Sequence, residues 1–208
     1  MFAERADAGR QLADRLAGLR GQDVVVLGLP RGGVPVAHEV ATALQAPLDV
    51  IVVRKLGVPG HPELAMGAIG EGGFEVLDRG TMARAGVTED ALRHVEDAER
   101  AELASRVDRL RRGRERVDLT ERVAVIVDDG VATGATARVA CEVARHLGAA
   151  RVIVAVPVGP VDTVADGLGA DDVVCLATPD PFHAVGQHYQ DFSETTDDEV
   201  VDLLEGRA

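Results

Sequence analysis

Five short apolar runs set the rhythm of the chain: 24–29 (VVVLGL), 49–53 within LDVIVV, 123–127 (VAVIV), 151–156 (RVIVAV) and 173–176 (VVCL). Runs of this length, rich in β-branched residues, predict strands buried on both faces, as in a parallel sheet. Between them apolar residues recur at helical spacing. Ala8, Leu12, Leu16 and Leu19 mark a helix over 5–19, and similar stretches cover 34–44, 134–147 and 161–168. Strands alternating with helices predict an α/β fold with a doubly wound parallel sheet.

Other segments depart from that rhythm. Runs 66–69 and 74–77 flank the turn Glu71-Gly72-Gly73 and predict a hairpin-like pair. Segment 56–63, LGVPGHPE, carries two prolines and two glycines without periodicity, which predicts an exposed, mobile loop. Over 88–116, Leu92, Val95, Ala98, Val107 and Leu110 form a narrow apolar stripe among Glu and Arg, with Thr88 placed as an N-cap. That reads as a long solvated helix or helix pair, either an exposed connector or the arm of a homodimer. A short acidic helix is expected at 197–204. The expected organisation is one domain over 1–208, with a core at about 20–80 and 120–177. A helical insertion falls at about 81–119 and a C-terminal hood or flap at about 178–208.

Composition narrows the partners. A net charge of −13 disfavours a nucleic-acid or anionic-membrane surface, and 2% aromatics with no tryptophan leave no stacking platform for single strands. No apolar run approaches the ~20 residues of a membrane span, and the opening residues lack the apolar stretch of a signal peptide. Cys141 and Cys175 lie in apolar stretches and read as buried thiols, so a cytoplasmic setting is expected. With so acidic a chain, any anion site has to be built locally.

The 123–127 run supplies one, because it empties into Asp128 and Asp129 and then a small-residue loop, GVATGAT. Gly130 and Gly134 permit backbone conformations closed to other residues. Thr133 and Thr136 offer hydroxyls, while Ala132 and Ala135 leave the amides open to an anion. Amides at a helix N-terminus bind phosphate, with the dipole adding roughly 0.3–2 kcal/mol. The aspartates accept hydrogen bonds from sugar hydroxyls or hold a hard cation such as Mg²⁺. Together they describe a sugar phosphate. The loop is neither a Walker A sequence nor a dinucleotide fingerprint. Two further candidates are open on the residues alone. Arg31-Gly32-Gly33, between strand 24–29 and helix 34–44, is an ordinary βα turn or a second anion loop. Arg54-Lys55, which holds the only lysine of the chain, is solvated punctuation or an anion ligand.

Residues 127–136 resemble the motif with which type I phosphoribosyltransferases bind 5-phosphoribosyl 1-pyrophosphate (PRPP), and the order of elements agrees over most of the chain. The resemblance implies a Rossmann-like core. It assigns the ribose hydroxyls to Asp128 and Asp129, which would also bear weakly on Mg²⁺, held mainly through PRPP and water. It assigns the 5′-phosphate to Gly130, Ala132, Thr133, Gly134, Ala135 and Thr136. Arg31, Gly32 and Gly33 stand where the family binds pyrophosphate, a turn that often holds a non-proline cis peptide there. Arg54-Lys55-Leu56-Gly57 is similar to the start of the closing loop of adenine phosphoribosyltransferases. Arg31, Arg54 and Lys55 are thereby implied to act on the leaving group, with Glu63 and Glu71 in reach on closure.

The acceptor implied is a nitrogenous base of unresolved kind. Enzymes acting on 6-oxopurines place an acidic residue just before the Thr-Gly of the phosphate loop, where Ala132 stands here. Pro179-Asp180-Pro181-Phe182 is nevertheless similar to the base-stacking segment of purine enzymes, with Phe182 over the base or else packing a flap. His183 and His188 lack ligand spacing. The competing reading is a non-catalytic sensor of PRPP or nucleotide on the same fold.

Overall fold

The computed structural model describes residues 1–207. Its centre is a five-stranded parallel sheet of β1 (Val24–Gly28), β2 (Leu48–Val50), β6 (Val123–Val127), β7 (Arg151–Val158) and β8 (Asp172–Ala177), ordered β2-β1-β6-β7-β8. The continuous apolar runs are explained by burial on both faces. Val24, Val26, Val125, Val127, Ile153 and Ala155 pack against α1 (Arg5–Arg15) and α2 (Gly33–Leu44). The alternate residues, among them Val25, Leu27, Ile126 and Val154, pack against α5 (Ala135–His146). Full burial of each such Val, Leu or Ile side chain contributes about 1.5–3 kcal/mol. Because α2 and α5 lie on opposite faces, the order of the sheet reverses between β1 and β6. The carboxyl ends of those two strands are therefore the expected ligand crevice. α6 (Val161–Ala165) follows β7.

Between β2 and β6 lies a second unit, an antiparallel sheet of β3 (Val53–Val58), β4 (His61–Gly70) and β5 (Glu75–Leu77), followed by α3 (Arg79–Ala85) and α4 (Glu89–Arg111). The hairpin expected around Glu71 is present as the β4–β5 pair, with Ala68 opposite Val76. Two expectations are corrected. The strand drawn over 49–53 ends at Val50, and Val53 opens β3 instead. Residues 56–63 are not a loose loop: β3 runs through Val58 and turns at Gly60 into β4, with Leu56 and Val58 buried. The pairing shifts register around Gly57, where a Cβ would lie 2.7 Å from the Pro62 carbonyl oxygen. A bulge of this kind tolerates both residues.

Helix α4 begins as expected at Thr88, whose hydroxyl accepts from the Ala91 amide at 3.2 Å. Of its stripe, Leu92 and Leu110 are buried, Val95 and Val107 half-buried and Ala98 exposed. Leu92, Leu103 and Leu110 are buried with Leu56, Val58 and Met66 of the small sheet and with Val200 and Leu204 of α7 (Asp197–Leu204). α7 is closed by a capping box between Thr196 and Glu199. Among the described residues, no helix is long and apolar enough to cross a membrane.

Candidate active site

The turn after β1 and the loop after β6 meet at the point where the sheet order reverses. The Leu29 amide donates to the Val127 carbonyl oxygen at 2.8 Å, tying the two segments by their main chains. The Pro30–Arg31 peptide bond is cis. A Cβ at Gly32 would sit 2.0 Å from Asp129 Oδ2, and one at Gly33 would sit 2.5 Å from the Val127 carbonyl oxygen. Only glycine fits so close an approach between the turn and the acidic pair.

Asp128 and Asp129 leave β6 half-buried. The Asp128 carboxylate accepts from the Asp129 amide at 2.9 Å, and Asp129 Oδ2 lies 2.9 Å from both Nε and Nη2 of Arg5. Burial, and then the neighbouring Asp129 charge, push the Asp128 carboxyl well above the usual carboxylate range. Burial also raises Asp129, although Arg5 opposes it. Two desolvated carboxylates side by side favour a proton, a cation or hydroxyl donors between them.

The loop carries its anion features on the outside. Thr133, Ala135 and Thr136 are exposed, and Gly134, with φ +73°, turns the chain into α5. A Cβ on Gly134 would also lie 2.3 Å from Leu168 Cδ2. Arg138 donates its backbone amide to the Gly134 carbonyl as the first helical bond; before it the Ala135 amide donates to Thr133 Oγ1 at 3.4 Å, and the Thr136 and Ala137 amides lie at the open first turn of α5. Arg138 Nη1 and Thr163 Oγ1 hold the Thr133 and Ala132 carbonyl oxygens at 2.8 and 3.1 Å.

Arg54 and Lys55 stand on β3 rather than at the mouth of a loop. They line a cavity of about 150 Å³ together with Ala135 and Thr136, so the small sheet and the phosphate-type loop share one cleft. Arg54 is paired with Glu99 of α4 at 2.7 Å and Lys55 with Glu63 at 3.2 Å. Glu71 is a correction: it is buried and paired with Arg111, and its Oε1 accepts from the Val52 amide at 3.0 Å, so it faces no site. Phe182 packs beside Val185 and stacks on His188, ring centroids 5.7 Å apart, which covers one face of its ring.

Several participants carry no local signal. Arg5 comes from α1, and its guanidinium also lies 4.1 Å from the Phe192 ring centroid. The Tyr189 hydroxyl donates to the Asp129 carbonyl oxygen at 2.6 Å. Glu194 pairs with Arg31, and Asp197 lies 3.8 Å from it. The segment 189–197 thus crosses the crevice at its acidic pair and its anion turn.

The Arg31-Gly32-Gly33 turn, the acidic pair and the 130–136 loop thus converge on one sheet crevice. The family model described as phosphoribosyl transferase domain matches residues 3–184. The chain belongs to the phosphoribosyltransferase family. A Mycobacterium tuberculosis protein provisionally named a phosphoribosyl transferase is 61% identical over 206 residues, which is 99% of this chain and 46% of that protein. The chain therefore spans about half the length of the curated relatives it matches. A crystal structure of a Thermus thermophilus protein is 44% identical with a TM-score of 0.88, covering 100% of this chain and 99% of that one. A hypoxanthine-guanine phosphoribosyltransferase from Bacillus anthracis shares the fold at 10% identity, with a TM-score of 0.52 over 88% of this chain and 83% of its own.

Proposed function

We propose that this chain transfers the 5-phosphoribosyl group from PRPP to a nitrogenous base and releases pyrophosphate. The observation that carries the reading is the convergence of three elements on one crevice: the Arg31-Gly32-Gly33 turn, the Asp128-Asp129 pair and the 130–136 loop. A ligand that uses all three has a pyrophosphate, a diol and a monophosphate in that order, which is PRPP. Asp128 and Asp129 would take the ribose hydroxyls, and the first-turn amides of α5 at Thr136 and Ala137, with the exposed Thr133 and Thr136 hydroxyls, would take the 5′-phosphate.

Among the described residues no group of three or more His, Cys, Asp or Glu forms a metal cage. Mg²⁺ commonly needs only one or two protein carboxylates when substrate phosphates and water complete its shell. The Asp128 carboxylate, desolvated and bonded only to the Asp129 amide, fits that role. When bound there, the ion would supply charge neutralisation on the substrate's oxygens. The chain's own part is positional and electrostatic. Arg31 and Lys55 would donate to the oxygens on which charge develops as the C1–O bond breaks, each such donor being worth ~3–4 kcal/mol. No proton transfer is needed from them. Glu63 and Glu194 hold Lys55 and Arg31 until substrate arrives.

Ala132 cannot exchange a proton with a base, which weighs against a 6-oxopurine acceptor, and the acceptor is otherwise open. The test is to incubate the protein with Mg²⁺, PRPP and a panel of bases and to follow pyrophosphate release, alongside calorimetric titration with PRPP. Release with one base supports the reading. Binding without release for any base supports a PRPP sensor, and absence of PRPP binding refutes both.

A further inference from the structure

Helix α4 brings one cation to the anion turn that no sequence motif marks. Arg106 Nη2 donates to the Pro30 carbonyl oxygen at 3.4 Å, directly before Arg31. Among the described residues Arg106 is the one arginine partly shielded from solvent that has no carboxylate within 4.0 Å. Its neighbours are cationic. Burial lowers its proton affinity, and Arg31, Arg54 and Arg109 lower it further, against Asp197 alone. Asp197 is itself shared, lying 3.8 Å from Arg31 and 3.2 Å from Arg109. The other two guanidinium groups are covered by Glu194 on Arg31 and Glu99 on Arg54. Four cations from three segments of the chain thus face three carboxylates, and the unmatched one is Arg106.

A partly desolvated guanidinium among like charges is unfavourable until an anion joins it. The planar fork of arginine suits the paired oxygens of a phosphate, and a pyrophosphate can bridge several such forks at once. We infer that Arg106, from the helical insertion, is a direct ligand of the leaving pyrophosphate. This rests on the phosphoribosyl-transfer reading. As the C1–O bond breaks, its electron pair leaves on the pyrophosphate oxygen, and Arg106 N–H groups donate to that group without giving up a proton. The insertion would then complete the leaving-group side of the site.

The test titrates the full chain, with Mg²⁺, against inorganic pyrophosphate and separately against ribose 5-phosphate, which probes the other half of the crevice. Arg106→Gln should weaken pyrophosphate binding at least tenfold and leave ribose 5-phosphate binding unchanged. Arg106→Lys should fall between, and Arg93→Gln, exposed on the same helix, should match the parent. Unchanged pyrophosphate affinity in Arg106→Gln overturns the inference while leaving the transferase reading intact, provided the parent binds both probes. Equal loss of both affinities makes Arg106 a structural residue and also overturns it. A parent that binds neither probe overturns both readings.

Discussion

The ion cluster at the joint between the two sheets makes a prediction that depends on folding alone. Arg111, at the end of α4, is 6% exposed and reaches between Asp49 of β2, 3% exposed, and Glu71 beyond β4, 8% exposed. Its Nε lies 3.1 Å from Asp49 Oδ1, its Nη2 donates to the Val50 carbonyl at 3.0 Å, and Nη1 and Nη2 both bond Glu71. Burial works against the Arg111 charge, but Glu71 and Asp49 outweigh it and raise its proton affinity. The carboxylates have further partners: the Val50 and Val117 amides bond Asp49 at 2.8 and 3.0 Å, and the Val52 amide bonds Glu71. Arg111→Met keeps much of the apolar volume and strands two buried negative charges. Removing one partner of a buried pair costs about 3–5 kcal/mol, a large share of a typical ~5–15 kcal/mol. For a chain of this size that is a drop of roughly 6–20 °C in melting temperature. Urea unfolding of parent and variant measures it directly. Adding Asp49→Asn and Glu71→Gln to Arg111→Met should recover part of the loss, because the stranded charges are gone. A loss below about 1 kcal/mol for Arg111→Met, or a triple variant less stable than the single, would refute the account.

Further expectations concern the crevice. Asp128 holds its proton to higher pH in the folded chain than in the unfolded one. Stability therefore falls as pH rises through the window above the ordinary carboxylate range. Asp128→Asn should raise the melting temperature near neutral pH, with the gain shrinking towards pH ~4, and should abolish PRPP binding; scanning calorimetry that shows no gain at neutral pH counts against it. Lys55→Ala should lower turnover by about 10²–10³-fold with a smaller change in PRPP affinity, and steady-state pyrophosphate release showing equal losses in both would make Lys55 a ground-state anchor. Glu194→Gln removes the carboxylate that occupies Arg31 at an exposed pair. PRPP should then bind tighter by a few-fold, as expected for an exposed ion pair of ~0.2–1 kcal/mol; weaker binding by calorimetry would show that Glu194 helps rather than competes.

The parallel sheet was legible because burial on both faces leaves continuous apolar runs, and the 123–136 stretch was legible because strand, acids and loop are contiguous. The β3–β4 hairpin was hidden by its own irregularity. Pro59, Gly60 and Pro62 read as loop residues, yet Leu56 and Val58 keep the two-residue alternation of a strand, and the proline falls at a bulge that tolerates it. Glu71 was misread because only Arg111, forty residues on, explains why a glutamate is buried. Arg5, Arg106 and Glu194 share that obscurity. Their partners are 124, 76 and 163 residues away, and no local period records such pairs. The α4 stripe was narrow enough to suit a solvated helix, because the small sheet and α7 cover it from two sides.

The 2.8 Å bond from the Leu29 amide to the Val127 carbonyl makes the spacing between the turn and the acidic pair a property of the backbone. The spacing works as a fixed gauge: on the proposed reading it would set how far apart a ligand's diphosphate and diol must lie, and a main-chain bond does not depend on the side chains nearby. Phe182 and its neighbours in the C-terminal segment have no comparable main-chain bond to β1 or β6. Exchange of side chains there can therefore reshape that segment while the spacing between the turn and the acidic pair stays as it is.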